Sequence, residues 1–355
     1  MRSHSRPNTA ATTRISARTM LRTGVVALAV LSLAACSAQT AAPGSGESKA
    51  PTSEAVSFDS ISVIAPADPG GGWDQTARAI SQVFTDEKIV GSAPVTNIGG
   101  AGGTVGLAAL ANEKDPATLM VTGLVMVGAV ETNQSASRIE DTTPIAKMTE
   151  EALVVVVPEA SPYKTIKDLV NAIVKDGAGV AVTGGSAGGA DHILAGMLLT
   201  EAGIPAEEVT SKLNYIANSG GGEAVTMLLG NTVQAGISGV GEFVEQINAG
   251  ELRALAVSSA ERVELLPDTK TLVESGYEVE MTNWRGIVAP GGISDEEKAA
   301  LVEAVTTLHD SAAWKSVLSD KGWADAFLTG AEFDSFLSDN ITEVTKTLTT
   351  IGLIG

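Results

Sequence analysis

Five glycine-rich joints carry most of the chemistry that this 355-residue chain could perform. They are Pro69-Gly70-Gly71-Gly72, Gly99-Gly100-Ala101-Gly102-Gly103, Gly184–Gly189, Ser219-Gly220-Gly221-Gly222 and Gly236–Gly241. Glycine lets backbone N–H groups come close to a ligand, and a helix that begins there adds positive potential. None of the five contains lysine or arginine, so an anion held where they converge would be held by amides. One such joint reads equally well as a tight turn; five point to an anion-binding cleft at the carboxyl ends of strands.

Sharper motifs compete for the same glycines. Gly100-Ala101-Gly102 is followed by Gly103-Thr104-Val105, so the third glycine of a dinucleotide fingerprint is missing, and no phosphate-cradling Gly-Lys-Ser/Thr ending occurs. Gly184-Gly185-Ser186-Ala187-Gly188 is a literal Gly-x-Ser-x-Gly, the setting of a hydrolase nucleophile. Ser186 would need a histidine base on a later loop. His192 instead lies on the helix after the elbow, His309 lies on a C-terminal helix, and no His-Gly-Gly oxyanion segment is present. A serine hydrolase is therefore the alternative, and a non-enzymatic binding protein the main reading.

The elements that position these joints alternate. Ser60–Ala65 reads as a buried strand and Trp73–Phe84 as a helix, with Trp73, Ala77, Ile80 and Phe84 on one face. The unit recurs as strand Ala93–Ile98 with helix Val105–Asn112, then strand Gly179–Thr183 with helix Ala190–Ala202. Strand Ser211–Tyr215 precedes helix Glu223–Leu229, and strand Thr232–Ile237 precedes Glu242–Asn248. Leu119–Thr122, Ala152–Val157, Leu252–Ser258 and Val279–Val288 add strands; Thr165 with Asp168 and Ser294 with Glu297 open helices as capping boxes. Repeated strand–loop–helix units predict parallel sheets covered by helices on both faces. A final helix near Ala331–Ile351 is placed to pack back on the first domain.

The amino-terminal end sets the compartment. Arg2, Arg6, Arg14, Arg18 and Arg22 precede the apolar run Gly24–Ala35, which suits a signal peptide and is too short to span a bilayer. It closes as Leu33-Ala34-Ala35-Cys36, similar to a bacterial lipobox, and Cys36 is the only cysteine. Met20 is an alternative start. Residues 1–35 are thus expected as leader, and 36–56 as a lipidated cysteine and flexible tether of about 25 Å r.m.s. span. Removing five arginines from 23 basic residues leaves 18 against 42 acidic ones, a mature charge of −24. That charge speaks against nucleic acid and against anionic lipid as partners. One cysteine and two mature histidines exclude disulfides and argue against a metal site; no cofactor is expected.

Several stretches together resemble the solute-binding subunits of tripartite tricarboxylate transporters. They are Val63–Arg78, Asn97–Gly103, Thr143-Pro144-Ile145-Ala146, Gly188–Gly196 with Asp191-His192, Leu252–Ser258, Arg262 with Leu266-Pro267-Asp268, Glu274-Ser275-Gly276 and Trp284–Pro290. The matches run in order over nearly all of Phe58–Gly355. The resemblance implies an α/β, type II periplasmic-binding-protein-like fold of two doubly wound domains with a ligand cleft between them. The boundaries expected are 57–157 with 283–355, and 158–282. It also implies a monomer that takes a small di- or tricarboxylate to a two-subunit membrane permease while Cys36 holds it to the bilayer. A carboxylate sensor for a membrane kinase is the remaining alternative.

Carried onto this sequence, the ligand-binding residues are Pro69, Gly70, Gly71, Gly72, Trp73 and Asp74; Gly100, Ala101 and Gly102; Thr183, Ser186, Gly188, Gly189 and Asp191; Ala217, Asn218, Ser219 and Gly220; and Ser238 and Gly239. Gly-Gly-Gly-Trp-Asp at 70–74 is similar to the citrate-type branch. Tyr215-Ile216-Ala217 stands where the family often has Tyr-Lys-Gly, so no lysine contact is expected there. Trp73 reads as pocket wall or hydrophobic plug, and Trp284 as hinge or core. Asp74 and Asp191 read as helix caps or acceptors for loop amides, and His192 as structural.

Overall fold

The computed structural model describes residues 56–218 and 220–355; the leader, Cys36, most of the tether and Ser219 lie outside the described residues. The first elements are β1 (Ser62–Ala65), α1 (Gly72–Asp86), β2 (Val95–Asn97), α2 (Thr104–Leu110), β3 (Thr118–Gly123) and α3 (Leu124–Thr132). β1 pairs in parallel with both β2 and β3. The apolar face of α1 lies where the spacing predicts: Trp73, Ala77, Ile80 and Phe84 are all buried.

β4 (Thr143–Pro158) then joins two halves of one sheet. Thr143–Ala152 pairs with β9 (Thr282–Ala289), while Leu153–Val156 pairs with β7 (Ala235–Gly239) and Val154–Pro158 with β8 (Leu252–Val257). Beyond the junction β4 is buried on both faces. Leu153, Val155 and Val157 enter one apolar cluster, and Val154 and Val156 a second with Phe243 and Leu228. The second half holds α4 (Ile166–Asp176), β5 (Ala181–Gly184), α5 (Ala190–Glu201), α6 (Ala206–Lys212), β6 (Asn214–Ala217), α7 (Gly221–Leu229) and α8 (Val240–Asn248). β5 is parallel to β6 and β7. After β9 the chain completes the first half with α9 (Asp295–Asp310), α10 (Ala312–Lys321), β10 (Ala324–Thr329) and α11 (Gly330–Thr350), and α11 packs on β4 and α3. The strand order is β2-β1-β3-β9-β4-β7-β5-β6, with β8 and β10 also paired to β4.

Sheets parallel throughout were expected, and the structure corrects this. Three strands in each half are parallel, but β9 is antiparallel to β3 and β4, and β7, β8 and β10 are antiparallel to β4. The reason is topological: β4 carries the chain from one half into the other, so strands returning beside it run the opposite way. Both predicted capping boxes form, at Thr165 with Asp168 and at Ser294 with Glu297.

Candidate functional site

The glycine joints converge on one cavity of about 260 Å³. Of the residues expected at the ligand, Gly72, Trp73, Gly100, Ala101, Gly102, Ser186, Asp191, Ala217, Asn218, Gly220, Ser238 and Gly239 line it. Pro69, Gly70, Gly71, Asp74, Thr183, Gly188 and Gly189 do not, and Ser219 lies outside the described residues.

Local chemistry explains the split. Asp74 is buried behind the first joint, where it accepts the Gly70 N–H at 2.9 Å and pairs with Arg78 at 2.9 Å. Thr183 is fully buried; its hydroxyl donates to the Ile216 carbonyl at 3.0 Å and accepts from the Asn218 amide at 2.6 Å. It holds Asn218 at the wall rather than meeting the cavity itself. Gly188 turns its N–H to His192 Nδ1 at 3.1 Å, and the His192 ring stacks on Tyr215 at 4.1 Å. His192 is therefore structural, and among the described residues no histidine bonds Ser186. Trp73 is both plug and wall, buried in the core cluster with one side on the cavity.

Residues 100–103 have φ of 122°, 49°, 64° and 89°, a left-handed run that only a glycine-rich segment adopts at low cost. All four residues line the cavity, and Asn133 Nδ2 steadies the turn on the Ala101 carbonyl at 2.9 Å. Helices α1, α5, α7 and α8 all begin at or next to the cavity, and none has a side-chain N-cap bond. α4, α9 and α10 are capped by Thr165, Ser294 and Ser311, while α6 and α11, away from the cavity, also lack a side-chain cap. Uncapped N–H groups and aligned peptide dipoles favour negative charge in the cavity.

The glycine-centred reading missed the strongest group. Arg285 on β9 lines the cavity while its side chain is only 3% exposed. Its Nη2 donates to Glu151 Oε1 on β4 at 2.5 Å, and the guanidinium lies 5.1 Å from the Trp323 ring centre. Nε and Nη1 have no hydrogen-bond partner among the described residues; nor do Asn283 Oδ1 and Thr149 Oγ1. Thr149 faces Arg285 and Glu151 faces Asn283 across the β4–β9 pair, so all four sit together on one face of the crossover strands. Gly72 makes room, since a Cβ there would lie 2.5 Å from Arg285 Nη2. Alternation along Thr282–Ala289 was the available signal: it sends Asn283 and Arg285 one way and Trp284 the other. Trp284 is core, edge-on to Phe336 at 5.3 Å and bonded through Nε1 to Asn340 at 2.9 Å.

Acidic groups surround this cation. Burial pushes the Glu151 carboxyl up although Arg285 opposes the shift. Asp191 is pushed up to about 8, chiefly by burial, against the lowering effect of the Gly185 N–H at 2.6 Å. Burial lowers His192 to about 4. A raised carboxyl contributes stability that is full below its unfolded value near 3.8 and is lost as pH rises through about 8. A depressed histidine contributes stability that is full above about 6.5 and is lost as pH falls through about 4. Asp191→Asn, which keeps an acceptor for Gly185, is therefore expected to raise the melting temperature more at pH 8.5 than at pH 5. An equal change at both values in a thermal melt series would contradict this assignment.

Comparisons with known proteins agree with this geometry. The family model described as "Tripartite tricarboxylate transporter family receptor" matches residues 77–353. An Agrobacterium vitis protein, the "UPF0065 protein in the TAR-I ttuE-ttuC' intergenic region", is 32% identical over 253 residues, 70% of each chain. Among solved structures, the periplasmic binding protein BugD has a TM-score of 0.72 at 23% identity, covering 83% of this chain and 98% of its own. MatC from Rhodopseudomonas palustris with bound malate has a TM-score of 0.71 at 22% identity, covering 81% and 98%. The fold is that of type II periplasmic binding proteins, two α/β domains with a cleft between them.

Proposed function

Because the chain belongs to the tripartite tricarboxylate transporter receptor family, we propose that it is a lipoprotein anchored through Cys36 that captures a citrate-like di- or tricarboxylate and delivers it to a two-subunit permease. It is a solute-binding protein and not an enzyme, as the family match and its binding-protein neighbours have it. The observation that carries the ligand class is Arg285: a guanidinium with two unpartnered nitrogens, at a cavity flanked by four uncapped helix starts. A ligand carboxylate completes its bonds, and charge-assisted bonds of this kind are about twice as strong as neutral ones. A second carboxylate meets the glycine amides at 100–103 and 220. MatC, a distant relative in fold, is described with a bound dicarboxylate. Domains at 57–157 with 283–355 and at 158–282 remain the expectation, and the pairing of β4 changes partner slightly earlier, between Ala152 and Leu153.

A thermal-shift panel of citrate, isocitrate, tricarballylate, succinate, terephthalate and amino acids tests the ligand class. An acid at 100 times its dissociation constant adds about 2.7 kcal/mol; no response to any carboxylate would sink the reading. The net charge, −19 for the whole sequence and −24 once the proposed leader is removed, opposes approach of an anion, so attraction acts only near the cleft and salt should relieve the long-range repulsion. Stopped-flow fluorescence from Trp73 is expected to show faster association as salt rises; slower association would count against this balance of charges.

A further inference from the structure

Arg285 does not wait alone for a ligand. Its one hydrogen-bonded partner, Glu151, is as buried as it is, and the two meet at 2.5 Å with 3% of each side chain exposed. The backbone is shaped around that carboxylate, because a Cβ on Gly239 would run into Glu151 Oε1. The other ionisable groups facing the pair are acidic. Glu242 on α8 lines the cavity and accepts the Ser238 hydroxyl at 2.5 Å, and Asp191 on α5 lines it from the other side. Lys147, earlier on β4, is taken by Glu150 at 3.0 Å beside the Phe336 ring. No second cation lines the cavity among the described residues.

A ligand carboxylate therefore enters a pocket whose single cation is already bonded to a buried carboxyl group. Two buried carboxylates on one guanidinium, with Glu242 nearby, carry a like-charge and desolvation cost that one proton removes. Resting on the carboxylate reading above, we propose that Glu151 is a positioning residue for Arg285 that takes up one proton as the ligand docks. The cleft then binds the carboxylate and the proton together. The proton comes from solvent and forms an O–H bond on the Glu151 carboxylate; the ligand stays ionised and the guanidinium stays charged. Glu151 is the acceptor because it alone is fully buried against Arg285, whereas Glu242 is half-buried at the wall. Asp191, pushed up to about 8 by burial, is mostly protonated at pH 7 and has little proton to gain there.

Titration calorimetry of citrate, malate and succinate into the full chain, in phosphate and in Tris, counts the protons. The expected uptake is up to one proton per ligand at pH 7, where Asp191 is already mostly protonated, with affinity tightening as pH falls. Glu151→Gln keeps an oxygen for Arg285 and is expected to abolish both the uptake and the slope while binding more tightly than wild type at pH 8.5. Uptake that survives in Glu151→Gln and is lost in Asp191→Asn would put the proton on Asp191 and overturn the role of Glu151. An acid that binds wild type without proton uptake, or uptake that persists in Glu151→Gln, overturns the role of Glu151 and leaves the carboxylate reading standing. Failure of every acid to bind overturns both. A wild-type proton count of zero overturns the role of Glu151 even where Glu151→Gln does not fold.

Discussion

Replacing Arg285 with methionine is expected to weaken binding of citrate, or whichever carboxylate the panel selects, by about 30-fold or more. The guanidinium is the cation on the cavity wall, and truncating one partner of a buried charge-assisted contact costs roughly 2–5 kcal/mol. The substitution also strands Glu151, which then faces Glu242 without compensation. Breaking a buried pair from one side costs about 3–5 kcal/mol of stability, whereas replacing both partners by neutral groups is often tolerated. Arg285→Met with Glu151→Gln should therefore regain most of the stability and none of the affinity. Arg285→Lys should fall between, because a lysine keeps the charge but not the planar fork. Calorimetry together with thermal melts separates these outcomes; wild-type affinity in the double variant would remove Arg285 from the site.

The second large effect is expected from Gly128→Ala. Gly128 lies on α3, in the first half, and a Cβ there would run into the carbonyl oxygen of Gly188, which belongs to the loop before α5 in the second half. Gly188 has φ of 74°, and a Cβ on it would strike the Thr132 side chain at the end of α3. The obstacle at Gly128 is backbone, so no rotamer change relieves it. The same loop supplies Gly185, Ser186 and Ala187 to the cavity, and α3 supplies Val125. One methyl group thus forces apart two walls that the ligand must touch together. Overpacking of this kind costs about 1–3 kcal/mol, which predicts an affinity loss of about tenfold or more as well as a lower melting temperature. Unchanged affinity in Gly128→Ala would mean that this contact does not set the cleft.

The two sites differ in how far the sequence revealed them. The glycine joints were legible because each states a local backbone requirement: the left-handed run at 100–103 and the starts of α1, α5, α7 and α8 are all written in consecutive residues. Arg285 was not, because its meaning depends on Glu151, 134 residues away, and on the antiparallel pairing of β4 with β9. That pairing follows from β4 crossing between halves, which no local pattern announces. Other misses have their own causes. Helix α3 is buried on nearly every side, so it shows no apolar periodicity. Charged Lys147, Glu150 and Glu151 disguise the first half of β4, and β10 is exposed at its start and nowhere fully buried. Thr183 had the right chemistry, yet its hydroxyl was claimed by its neighbours on β6 and by Asn218.

The account comes down to where a carboxylate sits. A crystal structure of the chain with citrate bound measures this directly. The expected result is a ligand carboxylate oxygen within about 3 Å of an Arg285 nitrogen, with further oxygens against the Gly100–Gly103 turn and the start of α7. Citrate bound away from Arg285, with the guanidinium still held only by Glu151, would contradict it.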